Sequence, residues 1–234
     1  MIRLENISIA YSSKTIIDRA SVVFPQGSVT VLIGRNGAGK STLLRSLTAV
    51  EAPKSGTIFI GGKDIFSLNY EQRAKLLSFV GTQRIRIANM LCRDVVATGR
   101  APYTNWVGKL NSSDIEIVNN ALDAVGMSSF AMRSIDTLSD GESQRIMIAR
   151  ALAQQTPTIM LDEPTAFLDI PTRFEICKLL SNLAHNQGKT IIFSTHDIDA
   201  ALPIADYIAV LDNCKLSLHP ASEAKEVIRT LFSL

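Results

Sequence analysis

Apolar residues recur with a period of two at the start of the chain, at Ile2 and Leu4 and then at Ile7, Ile9 and Tyr11, with a change of phase between Leu4 and Ile7. This predicts a half-buried strand with a bulge or bend. Val29 to Ile33 is instead a continuous apolar run ending at Gly34, as expected of a central strand buried on both faces with ligand-binding glycines at its carboxyl end. A helix is predicted from Ser41. Ser55 and Gly56 read as a turn, Thr57 to Ile60 as a strand, and Gly61 and Gly62 as a second turn, an antiparallel hairpin near the front. Leu77 to Gly81 reads as another buried strand, with Gln83 just beyond its end.

The middle of the chain turns helical. Ser113 and Glu116 have capping-box spacing, Ile115, Val118, Leu122 and Val125 fall on one helical face, and Gly126 supplies a stop. A second helix is predicted from about Gly141 to Gln154, broken before Pro157 and leading into the strand Thr158 to Leu161. Strand and helix then alternate: Pro171 to about His185 as helix, Thr190 to Ser194 as strand, Ile198 to Ile204 as helix, Tyr207 to Leu211 as strand, and a helical segment from Ser222. No repeat, low-complexity tract or linker interrupts the order, so the helical middle reads as an insertion within one α/β domain.

Composition narrows the partners. The 234 residues, 46% of them hydrophobic, suffice for a sizeable core. The 24 basic and 22 acidic residues are spread without blocks, so no charged arm marks a nucleic-acid partner, none is expected, and charge names no other partner. Cys92, Cys177 and Cys214 lie far apart and suggest neither a disulfide framework nor a zinc site, and a reducing cytosol fits them best. The alternating start is unlike a signal peptide. The apolar stretch Ala200 to Leu211 contains Pro203 and Asp206 and is shorter than the roughly 20 residues a spanning helix needs, so membrane association is expected only through a partner.

Gly34, Arg35, Asn36, Gly37, Ala38, Gly39, Lys40, Ser41 and Thr42 spell GRNGAGKST between a predicted strand and a predicted helix. In that setting glycines let backbone N–H groups curl around phosphates and a helix N-terminus favours their charge, a pattern that predicts ATP binding. Lys40 is placed to reach the β- and γ-phosphates, and the Ser41 hydroxyl to bind Mg2+ between them. Thr158 to Leu161 delivers Asp162 and Glu163 side by side, pointing different ways: Asp162 suits the magnesium ion and Glu163 an attacking water, the alternative being an exposed turn at Pro164. His196, Gln83 and Tyr11 each follow an apolar strand. Singly, each fits a structural role; beside two phosphate motifs, all belong at one sheet edge, where α/β proteins gather ligand groups.

With these motifs the chain resembles the nucleotide-binding domain of ATP-binding-cassette (ABC) transporters, from Tyr11 to about Leu211. LSDGESQR, from Leu138 to Arg145, resembles the family signature usually written LSGGQ followed by Gln-Arg. The resemblance implies a P-loop NTPase core of about residues 1–83 and 156–234 with a mostly parallel sheet, an N-terminal antiparallel β subdomain, and an inserted helical subdomain of about residues 84–155. It also implies that Tyr11 stacks on adenine, that Gln83 joins magnesium and water to the transporter interface, and that His196 senses the γ-phosphate. Ser139 and Gly141 would complete the ATP site of a second copy, Asp169 in AFLD would contact that copy, and two chains would sandwich two nucleotides head to tail.

The signature departs from the family pattern at Asp140 and Glu142. Two carboxylates there would repel a γ-phosphate, but Ser139 and Glu142 also have capping-box spacing at a helix start, the preferred reading. The segments RAKLLSFVGTQ, VVATGRAPYTNW and EPTAFLDIPTR resemble the ATPases of iron-siderophore, haem and vitamin B12 importers. The implied partners are an integral membrane permease, docked on the region after Gln83 at the cytoplasmic face of the membrane, and indirectly an extracytoplasmic substrate-binding protein. The competing reading is a soluble cassette ATPase working as a mechanical or assembly factor. It is disfavoured by a single cassette without sustained heptads.

Overall fold

The computed structural model describes residues 1–12, 14–83 and 87–232. Strand β1 (Ile2–Tyr11) buries Ile2, Leu4, Ile7 and Ile9, and the phase change is a register shift between Leu4 and Ile7 where Asn6 takes φ 48°. Its antiparallel neighbour β2 (Lys14–Phe24) was not legible as a strand. Its buried residues Ile16 and Ile17 are adjacent, and Arg19 adopts φ 48°, so no single period runs through it. All five residues of β3 (Val29–Ile33) are buried, and α1 (Lys40–Leu47) follows.

β4 (Ser55–Ile60) and β5 (Lys63–Asp64) form the hairpin through Gly61 and Gly62. Ser55 and Gly56, read as a turn, belong to β4. A Cβ on Gly56 would lie 2.4 Å from the Asn6 carbonyl oxygen, so this glycine lets β4 pass the β1 bulge.

Next come α2 (Tyr70–Ala74), β6 (Leu77–Val80), α3 (Cys92–Ala97) and α4 (Ser112–Ala124). The capping box of α4 is Asn111 with Asp114, not Ser113 with Glu116: the Asn111 side chain accepts from the Asp114 N–H at 2.9 Å, and Asp114 accepts from the Asn111 N–H at 3.1 Å. Ile115, placed on the inward face, is exposed. The inward position is taken by Asp114, buried against Arg100 with Nε to Oδ1 at 2.9 Å, above Val118, Leu122 and Val125.

The remaining elements are α5 (Asp140–Ala153), β7 (Thr158–Asp162), α6 (Ile170–His185), β8 (Thr190–Ser194), α7 (Ile198–Ala201) with a 3₁₀ turn through Ile204, β9 (Tyr207–Asp212), β10 (Lys215–Pro220) and α8 (Ala224–Phe232). β10 was also missed. It turns back on β9 through Asn213 and Cys214, both at positive φ, a two-residue hairpin without the glycine that usually announces one.

Among the described residues the strands form a four-stranded antiparallel sheet, β2-β1-β4-β5, and a six-stranded sheet, β10-β9-β3-β8-β7-β6, parallel except at β10. β3 shows why its sequence is apolar throughout. Val29, Val31 and Ile33 pack toward α5 and α6, whereas Leu32 packs with α1 and the antiparallel sheet. The carboxyl ends of β3, β6, β7 and β8 therefore open on one edge, between a helical layer and an antiparallel one. Among the described residues no helix is long and apolar enough to cross a membrane.

Candidate active site

The loop from Gly34 to Gly39 leaves β3 and enters α1 through Gly39, at φ 104°. Two of its glycines are fixed by contact. A Cβ on Gly34 would lie 2.5 Å from the Leu211 carbonyl oxygen, and one on Gly39 would lie 2.1 Å from Cγ2 of Ile16. Within the loop the Ala38 N–H donates to Arg35 O at 3.0 Å, and Arg35 donates from Nη2 to Leu231 O at 3.2 Å. Asn36 is exposed, and Ser41 and Thr42 are partly exposed in the first turn of α1.

Three features suit this loop to a polyphosphate. No side chain caps α1 and no acidic residue sits in its first turn, so its leading N–H groups face the loop with the positive end of the helix dipole. Lys40 is only 8% exposed, and its ammonium donates to Gly34 O at 3.1 Å without a carboxylate in ion-pair reach among the described residues. A buried cation lacking an anionic partner is costly by itself and is matched by an anionic ligand.

Asp162 ends β7 beside Ser194 of β8, its partner in the sheet register. Ser41 donates its hydroxyl to Asp162 Oδ1 at 3.0 Å and Ser194 donates to the same oxygen at 2.7 Å, while the Thr82 hydroxyl donates to the Asp162 carbonyl oxygen at 3.1 Å. Among the described residues no group of three His, Cys, Asp or Glu side chains could hold a metal. One hydroxyl and one carboxylate, both hard oxygen donors, instead fit a magnesium ion whose other ligands are phosphate and water.

Glu163 follows in the left-handed conformation, φ 52°, with its N–H donating to Ser194 Oγ at 2.9 Å. That turn aims its carboxylate away from Asp162 and toward His196, whose Nδ1 lies 2.7 Å from Oε2. Gln83 is exposed past β6, where it lines one narrow crevice with Glu163 and Gln144. Tyr11 is 60% exposed at the end of β1, paired in register with Lys14, whose Nζ reaches Gly37 O at 3.5 Å. Lys40, Ser41, Asp162, Glu163, His196 and Gln83 are thus gathered on the predicted edge. Ser194 and Thr82 were missed, and the signal was available for Ser194: it ends an apolar strand as Asp162 does.

Ser139, Gly141 and Asp169 form a second group, in a cleft of about 340 Å³. Asp169 caps α6 by accepting from the Thr172 N–H at 3.0 Å, and the Thr172 side chain and N–H hold its carboxyl below the usual carboxylate range. A Cβ on Gly141 would come within 2.6 Å of Thr172 Cγ2, so a larger residue there would require Thr172 to shift.

Glu142 closes the capping box expected of it. Its Oε2 accepts from the Ser139 N–H and hydroxyl, each at 2.8 Å, and its own N–H donates to Ser139 Oγ at 3.3 Å. The Ser139 backbone bond, then the hydroxyl bond, lower its pKa. A depressed carboxylate contributes stability above the ordinary carboxylate pKa, and the contribution is lost as pH falls through the folded value. Glu142→Ala is therefore expected to cost about 1 kcal/mol in urea unfolding at neutral pH, with the difference from wild type shrinking in acid, while Glu142→Gln keeps most of the cap. A severalfold rise in turnover for Glu142→Gln at unchanged stability would instead assign Glu142 to phosphate repulsion.

The chain as a whole is similar to known ATP-binding proteins. The family described as ABC transporter matches residues 17–166. An uncharacterized ABC transporter ATP-binding protein of Methanocaldococcus jannaschii is 38% identical over 237 residues, covering 100% of this chain and 82% of that protein. The achromobactin transport ATP-binding protein CbrD of Dickeya dadantii is 37% identical over 97% of this chain and 86% of its own length. Among solved structures, a transporter assigned to the metal-chelate type, in an inward-facing conformation, superposes with TM-score 0.88 at 28% identity, covering 100% of this chain and 89% of that one. A dimeric ATP-binding cassette in a post-hydrolysis state, bound to ADP and Pi, gives TM-score 0.81 at 25% identity over 94% of this chain and 99% of that one. A phosphate loop, a paired acidic strand end and a capped signature helix on this fold have one explanation: the chain belongs to the ABC transporter family, as an ATP-binding subunit with ATPase activity.

Proposed function

We propose that the chain energises uptake of a metal chelate, of the iron-siderophore class before haem or cobalamin, by hydrolysing ATP as a head-to-tail dimer on the cytoplasmic side of a membrane permease fed by an external binding protein. The observation that carries the catalytic part is the hydrogen-bonded set Ser41–Asp162–Ser194 and Glu163–His196 at one sheet edge, beside buried Lys40. The name of the achromobactin relative supports the cargo class, and the ADP-bound dimer supports the two-copy arrangement.

In this reading the loop N–H groups of Gly37 to Thr42 and the Lys40 ammonium bind the phosphates, and Tyr11 stacks on adenine. Ser41, Asp162 and Gln83 would hold magnesium, which when bound offsets the charge that builds on the transferring phosphoryl group. Glu163 orients the attacking water and takes up its proton as the γ-phosphate leaves, and His196, which steadies Glu163 through Nδ1, senses that phosphate. Ser139 and Gly141 close on the nucleotide of the second copy, and Asp169 touches that copy. The helical lobe of this reading is about residues 84–155, and the permease docks on the region after Gln83; residues 84–86 of that region lie outside the described residues.

Affinity purification from native membranes tests the assignment. Recovery with a multi-span membrane protein, and turnover that rises faster than linearly with chain concentration, are expected. Recovery only with ribosomes or DNA would make the chain a soluble assembly factor instead.

A further inference from the structure

Arg173 lies in the first turn of α6, four residues after the helix-capping Asp169. Its guanidinium donates in two directions. Nε reaches the Leu168 carbonyl oxygen at 2.8 Å, and Nη1 reaches Asp197 Oδ1 at 2.6 Å. Leu168 immediately precedes Asp169, and Asp197 immediately follows His196. One side chain therefore clasps the turn that leads to the dimer-facing aspartate and the turn that carries the histidine bonded to Glu163.

Helix formation does not explain these bonds, because Asp169 already caps α6. Nor is the His196 turn held from one side only. The Asp197 N–H donates to Thr195 Oγ1 at 2.9 Å, and that hydroxyl lies 3.3 Å from Thr165 Oγ1. Asp197 Oδ2 is buried without a hydrogen-bond partner among the described residues. A carboxylate in that condition depends on its remaining ionic partner, and Arg173 is that partner. The pair thus fixes where Asp197, and with it His196, comes to rest.

We infer that Arg173 is a positioning residue that ties the Asp169 turn to the His196 turn, so that a second copy pressing on Asp169 sets His196 against Glu163 and the γ-phosphate. This rests on the two-copy reading above. It makes the clasp a link between the two nucleotide sites of a dimer, running inside one chain from the surface that meets the partner to the group that meets the phosphate.

Arg173→Lys separates this role from simple support. Lysine keeps the charge that Asp197 needs, but a single ammonium cannot reproduce a planar donor fork aimed at two acceptors. With the purified full-length chain, Arg173→Lys is expected to leave the melting temperature and the ATP affinity nearly unchanged. The kcat should fall roughly tenfold, and the Hill coefficient for ATP turnover should drop from its wild-type value toward one. Combining it with Asp197→Asn should slow turnover no further than the slower single variant, since both changes break one link.

Wild-type kcat and cooperativity in Arg173→Lys would overturn the proposal, as would losses that multiply in the double variant, or a parallel fall of ATP affinity and kcat. If the wild type itself turns over with hyperbolic ATP dependence and strict proportionality to chain concentration, the two-copy reading fails, and the proposal with it. A cooperative wild type matched by an equally cooperative Arg173→Lys sinks the proposal alone.

Discussion

Lys40→Ala is expected to bind ATP at least a hundredfold more weakly than the wild type, measured by calorimetric titration with magnesium present. Removing one partner from a buried, hydrogen-bonded charge pair costs about 3 kcal/mol or more, which is on the order of a hundredfold in affinity. Such a loss could reflect a damaged fold, but the structure supplies the control. In the free protein Lys40 is buried and, among the described residues, only the Gly34 carbonyl receives its ammonium, so its replacement relieves an uncompensated charge. The free variant should therefore melt close to the wild-type temperature. Undiminished ATP affinity in this variant would remove Lys40, and with it the phosphate-loop assignment.

Glu163→Gln should give the opposite pattern: ATP still binds, while turnover falls by about a hundredfold to ten-thousandfold, the range expected when a general base is lost. Glutamine is nearly isosteric and still offers an oxygen to His196, so the hydrogen bond now made at 2.7 Å can persist and the turn is kept. The phosphates then remain held while the attacking water loses its acceptor, and the variant should collect as a closed, ATP-loaded dimer on size exclusion. Near-normal turnover would take the catalytic role from Glu163 and leave His196 as the group to examine.

What could be read from the sequence follows from how local each cause is. GRNGAGKST is contiguous, so its glycines, lysine and hydroxyl are legible without knowing any neighbour, and the apolar runs of β3, β7 and β8 announce strands buried on both faces. Ser194, 32 residues away from Asp162, is marked only by its place at the end of an apolar strand, whereas Thr82 supports Asp162 through a contact 80 residues away in the chain, and no spacing rule reaches that far. Arg173 is hidden in the same way, since an arginine in a first helical turn looks like solvent-facing charge until Asp197 is seen beside it. β2 escaped because a bulge at Arg19 splits its period. The α4 face was misassigned because a charged residue, Asp114, fills the inward place that hydrophobicity gave to Ile115.

The backbone at Glu163 has a further consequence. At φ 52° it sits where a residue with a side chain is disfavoured by about 1–2 kcal/mol, and where glycine would sit freely. The chain therefore carries its proposed base at a position that folding alone would assign to glycine, which has no side chain to act as a base. Selection for a more durable protein and selection for a working one pull in opposite directions at that residue, and a carboxylate there records which of the two has prevailed.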